Sequence, residues 1–306
     1  MTTLDGFPDT LEGVLLRDGM IKVDRDLALH YVEAGPRTGK LVVLLHGFPQ
    51  FWMAWKRQIP YLAQAGHRVI APDLRGYNLS DHAPDLFGYR TERVAADISS
   101  LITALSPGEK GAVVGHDWGA NIGWVFSMKH PEQIERLCVM GAGHPADYDF
   151  LKFDLSQKLK SWYLVLMALP RVAEVVLSAD NYRMLRSSFS SQGMAAEDTE
   201  MFLGILRKSP GALTRMVNYY RAVARYRDPT APAVKVPVLA IHGNMDKETG
   251  RRLMNTSAVR APDFRLVEIK GGHWLQIAPD SANTVNQLLG DFLGGRPNDS
   301  KSPFGG

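Results

Sequence analysis

The chain has 306 residues, 45% of them hydrophobic and 22% charged, a composition that supports a large buried core in one big α/β domain or two smaller ones. A formal charge of +3 with scattered basic residues argues against a nucleic-acid surface, and the single cysteine, Cys138, excludes an intrachain disulfide framework and a thiolate metal cage. The start MTTLDGFPDTLEG lacks the basic and apolar regions of a leader, and the longest apolar run, WYLVLMALP at 162–170, is too short to span a bilayer, so the expected location is cytoplasmic.

LALHYVEAG at 27–35 and KLVVLLHG at 40–47 read as strands. WMAWKRQIPYLAQAG at 52–66 reads as a helix stopped by Gly66, and HRVIAPD at 67–73 as the next strand. An amphipathic helix, TERVAADISSLITAL at 91–105, precedes the buried strand GAVVGHD at 111–117. The helix GANIGWVFSMKH at 119–130 and a second buried strand, IERLCVMGAG at 134–143, follow. Apolar strands alternating with helices predict a mostly parallel sheet flanked by helices on both faces. From 145 to 234 the periodicity is helical without a convincing strand, and VPVLAIHGN at 236–244 and FRLVEIKGGH at 264–273 then restore the alternation. The expected organisation is a core domain of 1–144 and 235–295, an inserted all-helical cap of 145–234, and a flexible Gly- and Pro-rich tail of 296–306. A cap in that position lies over the carboxyl ends of the strands, where open α/β sheets bind ligands.

VVGHDWGAN at 113–121 places a glycine between strand and helix, which is also how a dinucleotide-binding loop begins. That loop needs glycine where Asp117 stands, and the carboxylate repels a pyrophosphate. The stretch fits instead a sharp elbow in which Gly115 and Gly119 leave room for a strained turn that exposes the central side chain. By itself it is equally the mark of a helix-capping aspartate. An elbow nucleophile calls for an acid and then a histidine after later strands, and the chain supplies Asp246 in HGNMD and His273 in GGHW. LLHGFPQ ends an earlier strand where such folds place an oxyanion-binding loop, so the N–H groups of Phe48 and Trp118 are the expected oxyanion hole.

The remaining candidates have plainer readings. His46 and His116 read as structural, and Cys138 as inert in a buried strand. Phe51, Trp52 and Trp55 are pocket wall or core, and Trp52 is taken with Phe48 and Trp118 as a substrate contact. His144, Asp147 and Asp149 read as a solvated loop rather than a metal cluster, and neither metal nor cofactor is expected.

HGFPQ, DLRGYNLSD, GHDWGAN, HGNMD and GGHW, in this order along almost the whole chain, resemble the α/β-hydrolase superfamily and, within it, the epoxide hydrolases and their relatives. One departure is Asn78, where the family usually has glycine; asparagine tolerates a left-handed backbone. The resemblance implies the α/β-hydrolase fold with a helical lid. Epoxide hydrolases carry one lid tyrosine a short distance before a proline and another in an N-[WY]-Y-R sequence, and Tyr163 before Pro170 and Tyr220 in NYYR match those positions. Haloalkane dehalogenases typically have asparagine where this chain has Phe48, and fluoroacetate dehalogenases an arginine where it has Trp118.

An aspartate nucleophile narrows the chemistry. With a reference pKa of about 3.9 it is ionised without help from a base. Attack on a carbonyl yields a mixed anhydride, whereas attack on saturated carbon yields an ester that a histidine-activated water can hydrolyse. The expected reaction is hydrolysis of an epoxide to a vicinal diol, with an ester on Asp117, His273 as base toward water, Asp246 orienting it, and Tyr163 and Tyr220 protonating the alkoxide. The expected partners are the epoxide and water, with no nucleic acid and no membrane span. A haloalkane dehalogenase and a ligand-binding receptor of this fold with little turnover remain open as alternatives. A homodimer is open as an assembly.

Overall fold

The computed structural model describes residues 6–147, 160–226 and 232–295. Asp149 and the expected tail lie outside the described residues.

Nine strands form one sheet: β1 (Thr10–Leu11), β2 (Val14–Asp24), β3 (Leu27–Ala34), β4 (Leu41–Leu45), β5 (Arg68–Pro72), β6 (Gly111–His116), β7 (Ile134–Met140), β8 (Val238–Gly243) and β9 (Phe264–Ile269). Their spatial order is β1-β2-β3-β5-β4-β6-β7-β8-β9. Pairing is antiparallel from β1 to β5 and parallel from β5 through β9. Strands β4, β6 and β8 are buried along their whole length, as central strands covered on both faces must be, which is why they read as unbroken apolar runs. β2 escapes the sequence reading because only Leu16 in it is buried; its Arg17, Asp18, Gly19 and Lys22 dilute the apolar signal.

Helices α1 (Gln58–Gln64), α2 (Thr91–Leu105) and α3 (Trp118–Lys129) follow β4, β5 and β6, and α8 (Arg251–Thr256) and α9 (Ala282–Leu293) follow β8 and β9. The helix expected over 52–66 is instead a 3₁₀ turn at Trp52–Trp55 followed by α1. The backbone N–H of Trp52 donates to Oδ1 of Asp73 at 3.0 Å, which draws the first turn toward the end of β5 and out of line with α1. Asp73 also accepts from Nδ2 of Asn78, 2.7 Å away, while Asn78 holds a left-handed backbone at φ 42°. Asparagine at this family-glycine position therefore keeps the turn and adds a bond to a buried carboxylate.

Between β7 and β8 the described residues form helices and no strand: α4 (Trp162–Ala168), α5 (Val172–Ser191), α6 (Ala196–Lys208) and α7 (Ala212–Tyr226). α5 breaks at Ala179–Tyr182, where Asp180, Asn181 and Tyr182 all have positive φ. α7 buries Leu213, Met216, Val217 and Tyr220, one stripe at helical spacing, and of its arginines exposes Arg225. The Tyr219 hydroxyl donates to the carbonyl of Arg75 at 2.8 Å, and Lys56 pairs with buried Asp198 of α6, two of the polar contacts that bolt the helical layer to the core. No single helix among the described residues is long and apolar enough to cross a membrane.

His144 and Asp147 correct the expectation of a solvated loop, since both are buried. The Ser257 hydroxyl accepts the N–H of His144 and donates to Oδ2 of Asp147, each at 2.8 Å, a link from the end of β7 to the residue after α8.

Candidate active site

Asp117 sits at the turn between β6 and α3 with φ 54° and ψ −118°, a conformation that an ordinary L-residue avoids. The turn is possible because of its neighbours. A Cβ on Gly115 would come within 2.3 Å of the carbonyl oxygen of Gly119, and one on Gly119 within 1.9 Å of that of Leu45. The two glycines allow α3 to start almost against β4, which lifts the Asp117 side chain above the sheet.

The loop after β4 closes over that side chain. The N–H of Phe48 donates to Oδ1 of Asp117 at 2.8 Å. On the other side, Oδ2 faces Nε2 of His273 at 3.7 Å, and Nδ1 of His273 lies 3.0 Å from Oδ2 of Asp246. The second oxygen of Asp246 accepts the N–H groups of Glu248 and Thr249, each at 2.8 Å, so the carboxylate is fixed in its own turn. Burial alone would strip the proton from His273, but the two carboxylates flanking the ring, Asp246 foremost, outweigh it and hold its pKa well above the usual histidine value. Burial would likewise raise the pKa of Asp117, and the adjacent ring of His273 with its charge brings it below the usual carboxylate value. The arrangement favours an imidazolium between two carboxylates.

His116 lies directly beneath. Its Nε2 is 2.9 Å from the carbonyl of His273 and its Nδ1 is 3.1 Å from the amide nitrogen of Gln276, which in turn donates to Gln50. Burial, reinforced by the charge of His273, pushes its pKa down to about 3. A neutral ring protonated on Nε2 satisfies both contacts.

Two adjoining cavities of about 430 and 280 Å³ share Asp117, Tyr163, Tyr220 and Glu248 in their walls. Tyr163 comes from the first turn of α4 and Tyr220 from α7, with ring centroids 6.4 Å apart. Tyr220 packs edge-on against Trp118 at 4.9 Å and Phe48 at 5.5 Å, the aromatic rim of the elbow. Its pKa is raised well above the usual phenol value by burial first and then by the charge of Asp117, which keeps its proton in place.

A model of the alpha/beta hydrolase fold matches residues 40–279. The chain is 32% identical to epoxide hydrolase 3 of Xenopus tropicalis over 282 residues, 88% of this chain and 76% of that protein. This protein belongs to the α/β-hydrolase family, in its epoxide hydrolase branch. It is also 36% identical to the AB hydrolase superfamily protein YfhM of Bacillus subtilis, across 87% of this chain and 94% of that one. Among solved structures, the epoxide hydrolase of Bacillus megaterium in complex with an inhibitor superposes with a TM-score of 0.79 at 25% identity, covering 90% of this chain and all of that one.

Against this epoxide hydrolase framework, the structure brings together Asp117, Asp246, His273, Tyr163, Tyr220, Phe48 and Trp118 around one cleft. Trp52 is the exception and corrects the expected substrate contact. It is 0% exposed, packs edge-on against Phe7 at 5.6 Å, and lines neither cavity, because the 3₁₀ turn points its ring into the core. Ligand atoms of Asp246, Glu248 and His273 lie within 4.8 Å of one another. That cluster is already saturated by the bonds between Asp246 and His273 and by the amide of Gln192 on Glu248. Gln192 and Lys160 are site neighbours that sequence reasoning misses, since both lie in polar stretches of the cap with no motif around them.

Proposed function

We propose that this protein hydrolyses an epoxide to a vicinal diol in two half-reactions, with residues 145–234 as its lid. In the first, Oδ2 of Asp117 attacks an epoxide carbon, the ring C–O bond breaks with its electron pair moving to oxygen, and Tyr163 or Tyr220 donates a proton to the alkoxide. The product is an ester on Asp117. Esterification removes the charge of Asp117 and with it one of the two carboxylates that hold the His273 proton. The imidazolium then gives up its proton, which passes to the tyrosinate, restoring the phenol and leaving the ring neutral.

In the second half-reaction the neutral ring takes a proton from water, which attacks the ester carbonyl carbon. The tetrahedral oxygen develops beside the N–H of Phe48, with that of Trp118 at the start of α3 as its partner donor. Collapse of the intermediate expels the diol and restores the carboxylate.

The observation that carries this reading is the placement of an aspartate, rather than a serine, between the N–H of Phe48 and a carboxylate-backed histidine. The two cap tyrosines on the same cavity support epoxide over halide as the leaving group. An alkoxide needs a proton donor, and the residue that would present a halide donor is Phe48, whose ring packs on Tyr220. The test is diol formation from styrene oxide beside halide release from a bromoalkane, with the wild type and Asp117→Ala. Diol from the wild type alone supports the proposal; halide release without diol moves the assignment to dehalogenation.

A further inference from the structure

Gln192, just past the end of α5, is 5% exposed and every hydrogen-bonding position of its amide is used. Its Oε1 accepts the N–H of His273 at 3.0 Å and that of Lys247 at 3.1 Å. Its Nε2 donates to the two oxygens of Glu248 at 2.8 and 2.7 Å. These four bonds join the cap to both loops that carry the Asp246–His273 pair.

The far side of the histidine loop has no slack. A Cβ on Gly272 would lie 2.6 Å from that of Gln192, and one on Gly243 would lie 2.2 Å from the carbonyl oxygen of Gly272. Residues 271–273 are therefore clamped between the end of β8 and the Gln192 side chain. Asp117 is anchored independently, through its N–H to the carbonyl of Met140 at 2.9 Å and through Oδ1 to Phe48.

We infer that Gln192 is a positioning residue that makes the water-activating pair depend on the seating of the cap. The inference rests on the reading in which His273 activates water. It separates the two half-reactions: alkylation needs Asp117, which Gln192 does not touch, whereas ester hydrolysis needs His273 and Asp246 in register. Because kcat/KM is set by the steps through ester formation when that step is irreversible, slowing hydrolysis lowers kcat and KM together and leaves their ratio alone. A general loosening of the fold lowers the ratio instead.

The experiment is steady-state kinetics with an epoxide, together with intact-mass spectrometry of protein quenched during turnover. Gln192→Ala is expected to lower kcat and KM in parallel by about tenfold and to raise the esterified fraction. Exchanging the two groups, Gln192→Glu with Glu248→Gln, keeps the two bonds from the backbone N–H groups and re-creates one side-chain bond with donor and acceptor reversed, so it is expected to restore part of kcat, whereas Gln192→Glu alone, which sets two carboxylates face to face, is not, which decides the matter if the alanine variant fails to fold. Unchanged kcat in Gln192→Ala, or a fall in kcat/KM equal to that in kcat with no added ester, overturns the inference. His273→Gln in the same assay keeps the two levels apart. Ester in His273→Gln but none in Gln192→Ala sinks the inference and leaves the covalent reading intact; no ester in either variant or in the wild type sinks both.

Discussion

The backbone N–H of Phe48 donates to Oδ1 of Asp117 at 2.8 Å, which in the proposed mechanism seats an oxyanion donor on the attacking carboxylate before substrate arrives. If Oδ2 carries the alkyl group, Oδ1 becomes the ester carbonyl oxygen without leaving that donor, and water adding to the carbonyl carbon builds charge where the donor already points. The water oxygen then ends in the carboxylate. A single turnover in ¹⁸O-water should put the label in the peptide containing Asp117, read by mass spectrometry, and the first equivalent of diol should carry none. Label in the diol alone would show direct attack of water on the epoxide.

Tyr163 and Tyr220 reach the shared cavity from different cap helices, so either phenol can serve part of the time. Each single Tyr→Phe change should slow alkylation by roughly tenfold and the double change by about 10²–10⁴, the usual range for a proton donor. Rapid-quench measurement of ester formation checks this. Wild-type alkylation in the double variant would place the donor elsewhere.

The trio Asp117, Asp246 and His273 is legible in the sequence because each follows a strand, a fully buried one for Asp117 and Asp246, and sits among glycines whose spacing the backbone requires. The parallel core is legible for the same reason, as uninterrupted apolar strands. Trp52 is not, because its spacing suits pocket and core alike, and a hydrogen bond from its N–H to Asp73 decides between them. Gln192 leaves little trace because two of its four bonds are to backbone N–H groups, which are the same whatever the sequence around them, and the others go to Glu248, 56 residues on and outside any motif. His144 and Asp147 look like a polar loop until Ser257, more than a hundred residues on, supplies the partner that permits their burial.

His116 predicts an acid-side loss of stability. Its pKa is pushed down to about 3 in the folded protein, against about 6.5 for an ordinary histidine. A histidine with a lowered folded pKa contributes stability in full above the unfolded value, and the contribution drains as pH falls toward the folded one, because the unfolded chain binds a proton that the native chain refuses. The slope reaches about 1.4 kcal/mol per pH unit for one such group. His116→Asn offers a donor and an acceptor without titrating. Urea unfolding at pH 7 and pH 5 should show the wild type losing about 2 kcal/mol more than this variant over the interval. Equal losses would mean that His116 takes up its proton in the folded state.

Removing the His273 imidazole separates the two half-reactions most directly. An ionised Asp117 needs no base to attack, so His273→Gln should still form the ester, more slowly as the local charge changes, and should then hold it because neutral water is a poor nucleophile. Intact-mass spectrometry after long incubation with an epoxide should show the variant heavier by one substrate mass, and peptide mapping should place that mass on Asp117. An unmodified His273→Gln protein, together with wild type that shows no adduct when quenched during turnover, would contradict the covalent account.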